Sequence, residues 1–405
     1  MKQIQIFALL LFLVGCNTPP QSLQPRAQWT LEQANTWHAK QPWFVGCNFS
    51  PSSAINQLEM WQADSWDPKT IDHELGWAHD LGFNSVRVYL HDLVWKQDAK
   101  GFLNRMEQFL DLADKHKIGV MFVLFDSVWD PHPKLGKQRE PRPHIHNSGW
   151  VQSPGAEILG NPARHDELRN YVQGVLGHFR NDRRVHAWDI FNEPDNPVSQ
   201  YRDVELKNKA EMALLLLKKT FGWAREVNPS QPITSAVWIG TWSDPLKLNP
   251  TEKVQLEESD IITFHNYSKP EEIKKCVENL RRYNRPLLCT EYMARGNGSR
   301  FEPILGYLKE QNVGAYNWGF VDGKTQTIYP WDSWKKKYDG EPAVWFHDIL
   351  RRDGTPYDEN EVRYIKSITR AAKSSSAKDK QDYGINFVSF TGSAQLFTPK
   401  LSRAK

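Results

Sequence analysis

Glu193 ends the run Val185-His186-Ala187-Trp188-Asp189-Ile190-Phe191-Asn192, and Glu291 ends the run Pro286-Leu287-Leu288-Cys289-Thr290. Each acid therefore sits at the end of a short, apolar, strand-like segment. A single acid in such a place is commonly a helix N-cap or a surface carboxylate. A pair can do more. Two carboxyl groups facing each other across an anomeric carbon, roughly 5 to 5.5 Å apart, hydrolyse a glycosidic bond with retention of configuration, one protonating the leaving oxygen while the other attacks.

Holding two carboxyls at that spacing needs a rigid frame, and the rest of the chain carries the pattern of one. From residue 43 onward, short runs rich in β-branched and aromatic residues alternate with longer segments of helical period. The strand candidates are eight: 43–49, 85–90, 119–125, 185–191, 233–237, 261–264, 287–290 and 313–317. Asp67-Pro68 marks the first helix, an N-cap followed by proline at N1, and Gly82 ends it. Further helices are expected over 103–116 and around 211–227, the latter stopped by Asn228-Pro229. Near-continuous apolar strands such as Val120-Met121-Phe122-Val123-Leu124 suit burial on both faces of a parallel sheet. Eight such units imply an α/β chain folded as one (β/α)8 TIM barrel, whose active site lies at the C-terminal ends of the strands. Both glutamates fall there.

With the strands numbered, the sequence resembles the clan of retaining (β/α)8 glycosidases, and most closely glycoside hydrolase family 5, the cellulase and mannanase family. Asn192-Glu193-Pro194 after the fourth strand and Glu291 after the seventh match that clan's acid/base and nucleophile by residue type and by strand. The likeness spans residues 43–352. It implies a β-glycoside hydrolase acting on a β-linked polysaccharide or oligosaccharide through a covalent glycosyl-enzyme. Glu193 would protonate the leaving sugar and then deprotonate the water that releases the intermediate. The resemblance also implies that Arg87 keeps the nucleophile ionised, that His265 and Tyr267 stand beside it, that Asn192 meets the sugar 2-hydroxyl, and that Trp318 forms the platform under the sugar. No metal or cofactor is implied, and the partner is a carbohydrate. The alternative is a non-catalytic surface glycan-binding lipoprotein on a degenerate barrel, which has no reason to keep both acids with their supporting residues.

One connection is too long for an ordinary βα turn. The stretch 126–162, rich in proline and histidine, should be functional, and it follows a strand. It holds Asp126, Trp129 and Asp130, and an H-x-H pair, His144 and His146, better read as loop contacts than as metal ligands. Asn48, Glu59 and Trp61 follow the first strand and are candidates for shaping the far side of a cleft. The chain has 17 Trp, more than a core needs. Flat rings suit the CH faces of sugars, so Trp129 and Trp242, both in predicted loops, are taken as substrate-binding candidates.

With 51 basic and 48 acidic residues the net charge is +3, too balanced for a nucleic-acid partner. The N-terminus is not fold: Lys2 precedes an apolar run ending in Leu13-Val14-Gly15-Cys16, which resembles a lipobox. The expected organisation is a leader at 1–15, lipidation at Cys16, a tether at 16–28, the hydrolase barrel at 29–372 and a Ser- and Lys-rich tail at 373–405. This describes an exported monomer, lipid-anchored to a bacterial membrane, with the outer membrane or periplasmic face favoured. Cys47, Cys276 and Cys289 remain, an odd number that allows one bridge at most.

Overall fold

Eight parallel strands form at the apolar runs identified above. In the computed structural model they are β1 (Val45–Asn48), β2 (Ser85–Tyr89), β3 (Gly119–Val123), β4 (Val185–Asp189), β5 (Ile233–Thr234), β6 (Ile262–His265), β7 (Leu287–Tyr292) and β8 (Gly314–Asn317). The structure describes residues 25–370. The expected leader, the lipidation site Cys16, most of the tether and the tail at 373–405 lie outside the described residues.

The hydrogen-bonded order is β5-β4-β3-β2-β1-β8-β7-β6, and the remaining seam is closed by a bridge between Val237 and Phe264. Thr234 Oγ1 reinforces that seam, 2.8 Å from Thr263 Oγ1. The expected strand 233–237 is interrupted because Ser235 turns its polar groups sideways: its hydroxyl donates to the Phe191 carbonyl and its amide to Ser259 Oγ. Such side-chain bonds compete with the ladder.

The first expected helix runs Pro68–Asp80, with the Asp67 side chain accepting from the Thr70 amide. A cap of this kind contributes about 1 kcal/mol. The helix expected over 103–116 starts earlier, because two helices join within Asp92–Lys115 at Asp98, whose backbone is non-helical and whose carboxylate receives the Gly101 amide. The helix near 211 covers Lys209–Val227.

Alternation along the strands sorts the interior. Val86 and Val88 pack outward against the helices, while Ser85, Arg87 and Tyr89 turn into the barrel. At the N-terminal end the lumen is filled by Phe44, Met121, Ala187, Ile261, Leu288 and Tyr316, with Trp37 from the helix Leu31–Ala39 packed beneath. Above this apolar plug the lumen becomes polar, with Asn48, Arg87, Asp189, Thr234 and Thr263 buried. Gly46 is required on β1, because a Cβ there would stand 1.6 Å from the Ser85 carbonyl oxygen. Cys47, Cys276 and Cys289 are buried and unpaired.

Candidate active site

Glu291 reaches the mouth of the barrel by a break in alternation. Leu288 points into the lumen plug, so strict period-two geometry would send Glu291 outward. The β6–β7 register slips here: Phe264 pairs with Cys289 and His265 pairs with Glu291, skipping Thr290. A bulge of this kind re-aims a side chain. Glu291 is consequently a residue of β7, not of the loop after it.

Its carboxylate is fully engaged. Oε1 accepts from Arg87 Nη1 at 2.9 Å and from the Tyr89 hydroxyl at 2.8 Å, and Oε2 accepts from the Tyr267 hydroxyl at 2.6 Å. Burial alone would raise this carboxyl, but His265, Arg87, Tyr267 and Tyr89 together hold it below the usual glutamate range. Arg87 is the hub. Its guanidinium also donates to Asp189 Oδ2 from Nε at 3.1 Å and from Nη2 at 2.7 Å, to Asn192 Oδ1 at 2.7 Å and to Asn48 Oδ1 at 2.7 Å. Burial opposes its charge, but Tyr89, Asp189 and Glu291 together hold that charge on, well above the usual range.

Glu193 stands four residues beyond β4 on a tight turn with φ of 41°, a left-handed conformation that non-glycine residues seldom adopt. Such outliers gather at functional sites. Its Oε1 lies 2.7 Å from His265 Nδ1, and its Oε2 accepts from Asn196 Nδ2 at 2.6 Å. The imidazole can donate to an ionised Glu193 or accept from a protonated one, so the contact is compatible with both states of the carboxyl. One oxygen of Glu193, one ring nitrogen of His265 and one oxygen of Glu291 lie within 4.8 Å of one another. The three would suit a cation by donor type alone. Against that, Arg87 already places its positive charge on the Glu291 oxygen that lies 3.7 Å from His265 Nε2.

The cleft over this pair encloses about 490 Å³ and is lined by Asp126, Trp129, His146, Trp150, Asn192, Glu193, Trp238, Tyr267, Glu291, Trp318 and Trp331, among others. Every lining residue follows or ends a strand from β3 to β8; none comes from the loops after β1 and β2. The β1 loop instead lines a separate cavity of about 30 Å³, with Tyr89, Trp150 and Trp318. The long loops after β3 and β8 are bound to each other across that side. His146 donates its amide to Ser333 Oγ at 3.0 Å, the Asn147 amide meets the Thr325 carbonyl at 2.8 Å, Trp334 Nε1 meets the His146 carbonyl at 2.8 Å, and Trp129 stacks on Trp334 at 5.6 Å.

Among the residues singled out from sequence, the structure places Asn192, Glu193, Tyr267, Glu291, Trp318 and Trp129 on the wall of one cleft, with Arg87 and His265 buried and bonded to its two glutamates. Trp242 is a correction. It is 4% exposed, packs edge-on against Phe264 and gives its indole N–H to Glu252, so it belongs to the outer core. Glu59 and Trp61 are also outside the cleft: Glu59 pairs with Lys324, and Trp61 is buried with its N–H on the Tyr89 carbonyl. Nδ1 of His144 and of His146 meets a backbone carbonyl, that of Tyr338 and of Tyr329 respectively, so neither nitrogen is free for a metal. Burial pushes the His146 imidazole down to about 4. Sequence reasoning gave no role to Tyr89 or Asn196. Tyr89 was within reach, since it lies two residues beyond Arg87 on the same strand face.

No protein-family model matches the chain, and no curated protein matches it in sequence. Solved structures do. One is the exo-β-1,4-mannosidase Op5Man5 from Opitutaceae bacterium strain TAV5, 18% identical with a TM-score of 0.56, covering 82% of this chain and 59% of that one. A GH5_18 protein from Streptomyces cattleya in complex with Manb1-4GlcNAc is 12% identical, with a TM-score of 0.54 and coverage of 82% and 81%. The endo-1,4-β-D-mannanase from Thermotoga petrophila RKU-1 is 13% identical, with a TM-score of 0.51 and coverage of 81% and 99%. The chain thus spans 59% of the length of the first of these. At such identities the likeness establishes the shared barrel fold.

Proposed function

We propose that this chain is a retaining β-glycoside hydrolase that works from the non-reducing end of its substrate, with Glu291 as nucleophile and Glu193 as acid/base. The observation that carries the reading is the unequal treatment of two buried glutamates. Glu291 is kept anionic by a buried arginine and two tyrosines, and Glu193 shares its contact with an imidazole that tolerates either protonation state. The two carboxyls approach within 4.8 Å of each other, well short of the roughly 6.5–9.5 Å by which an inverting pair seats its attacking water, and this spacing favours direct attack.

In the first step a Glu291 oxygen bonds to the anomeric carbon while the glycosidic C–O bond breaks, and Glu193 gives its proton to the departing oxygen. In the second, Glu193 takes a proton from water. The water oxygen bonds to the anomeric carbon, the Glu291 ester opens, and both acids return to their starting state. Arg87, Tyr89 and Tyr267 hold the nucleophile's oxygens in place throughout, so little reorganisation is needed as its charge is spent.

Action from the chain end is supported by the tie between the loops after β3 and β8, which closes the β1–β2 side of the cleft. The side carrying Asn196, Gln200 and Trp238 stays open beside the acid, where a leaving group would exit. β-Mannosides are the leading substrate class, since the structural neighbours named above are a mannosidase, a mannanase and a protein holding Manb1-4GlcNAc. The lipobox-like Cys16 would tether this activity to a membrane; loss of membrane association in Cys16→Ser tests that.

The deciding experiment is hydrolysis of aryl β-glycosides and β-1,4-linked manno-, gluco- and xylo-oligosaccharides by the wild type, Glu193→Gln and Glu291→Gln. Single sugars released by the wild type, with both variants depressed by several orders of magnitude, are expected. Binding of glycans without any release would transfer the weight to the binding-protein alternative. Internal cleavage products from the start of the reaction would sink the chain-end reading.

A further inference from the structure

Asp126 is a buried carboxylate on the cleft wall that the mechanism above leaves unused. Four donors converge on its two oxygens. Oδ1 accepts from Asn192 Nδ2 at 2.9 Å and from the Val128 amide at 3.1 Å. Oδ2 accepts from Trp150 Nε1 at 2.6 Å and from Gln57 Nε2 at 3.3 Å. A carboxylate offers about four acceptor sites, so this one is filled by protein and is not free to take a sugar hydroxyl. Its effect must pass through the groups it holds.

Asn192 is the group that matters. Its Oδ1 is fixed by Arg87 Nη2 at 2.7 Å and one of its amide hydrogens by Asp126, which leaves the other hydrogen for the cleft that Asn192 lines. A carboxamide anchored at both ends cannot exchange its oxygen and nitrogen, whereas one anchored only by Arg87 can swing.

Building on the hydrolase reading, we propose that Asp126 is a positioning residue that locks the Asn192 amide so that its free N–H meets the 2-hydroxyl of the glycone in the transition state. Trp150, held by the same carboxylate, meets Tyr89 and Trp318 edge-on at 5.3 and 5.9 Å. The lock therefore also orders the aromatic corner beside the nucleophile.

The test compares kcat and KM of the wild type, Asp126→Asn, Asn192→Ala and the double variant on an aryl glycoside that the wild type cleaves and on its 2-deoxy counterpart. Asp126→Asn is nearly isosteric but turns an NH2 toward donors, breaking the lock. The expected result is a loss of about 10²-fold in kcat on the hydroxylated substrate with KM little changed. On the 2-deoxy substrate the loss should be a few-fold at most, and in the Asn192→Ala background the change should add nothing. Equal losses on both substrates, or none on either, overturn the proposal. Where Asp126→Asn melts too low to assay, Asp126→Glu keeps the carboxyl one methylene displaced and must show the same selectivity; a uniform loss overturns the lock again. A wild type inactive on every glycoside overturns the hydrolase reading and the lock with it, whereas an active enzyme without this selectivity overturns the lock alone.

Discussion

Replacing Tyr89 with Phe removes one oxygen from the site and little else. The hydroxyl donates to Glu291 Oε1 at 2.8 Å and accepts from Arg87 Nη1 at 2.6 Å. Nη1 has two hydrogens and also faces Asn48 Oδ1 and Glu291 Oε1, so no donor is orphaned when the hydroxyl goes. The ring keeps its edge contacts with Trp150 and Trp318, so the melting temperature should fall by only a few degrees. What changes is the proposed nucleophile. A hydrogen bond to a charged group contributes roughly 1.5–3 kcal/mol, and this one favours the ionised form, so losing it raises the Glu291 carboxyl. The rise is limited, because His265, Arg87 and Tyr267 each oppose the effect of burial more strongly than Tyr89 does and remain in place. On the proposed mechanism Glu291 must be ionised to attack, so the acidic limb of kcat/KM moves toward neutral pH. Tyr267→Phe should move the acidic limb at least as far. Profiles of kcat/KM against pH for the three proteins decide the matter; an acidic limb left where it was, or shifted to lower pH, refutes the assignment of that limb to Glu291.

Arg87→Met leaves Asp189 and Glu291 buried without their counter-charge, and breaking such a cluster costs about 3–5 kcal/mol. A fall in melting temperature on the order of 5–10 °C is expected by calorimetry, together with loss of activity; Arg87→Lys should recover only part of either. Trp334→Ala removes the ring stacked on Trp129 and the bond to the His146 carbonyl, opening the wall between the loops after β3 and β8. Initial-rate kinetics should then show a raised KM, and product chromatography some release of disaccharide, where the chain-end action proposed for the wild type yields single sugars. Glu74 does not line the cleft; burial pushes its carboxyl up to about 7, against the Ser52 amide that donates to it. A raised folded pKa means that its contribution to stability is full below the ordinary value and is lost as pH rises through about 7. Glu74→Gln cannot ionise, so its melting temperature relative to the wild type should be more favourable at about pH 8 than at about pH 5.

The fold was legible because its strands are buried on both faces. A segment such as Gly119–Val123, fully enclosed, has to be written almost wholly in apolar residues, and eight such runs in alternation with helices admit few architectures. The acids were legible for a related reason, since a carboxyl ending an otherwise apolar run has to be used for something. Other features depended on local backbone events that composition does not record. The bulge at Thr290 that turns Glu291 inward leaves no mark in the residue types, and β5 shortens because of side-chain bonds from a single serine. Trp129 and Trp242 show why loop tryptophans are hard to sort. Both have positive φ, at 75° and 52°, both are buried, and both follow strands. Only the path of each loop sends one ring to the cleft and the other onto Phe264.

Arg87 explains why the chemistry of this barrel cannot be separated from its packing. Filled with aliphatic side chains, the middle of the lumen would stabilise the fold more, because replacing buried ion pairs by well-packed apolar groups is often neutral or stabilising. Instead the guanidinium at that level binds side chains from β1, β2, β4 and β7, and two of those four strands carry or lead into the proposed catalytic acids. A charge fixed by four strands cannot drift, and its neighbours cannot either: Glu291 on one side, Asn192 on the other, and through Asn192 the Asp126 cluster. Rigidity of this kind lets hydrogen-bond donors face a developing charge without first reorganising. The same connectivity predicts that substitutions along the Arg87–Asn192–Asp126 line will be strongly non-additive, because each one releases what the others hold.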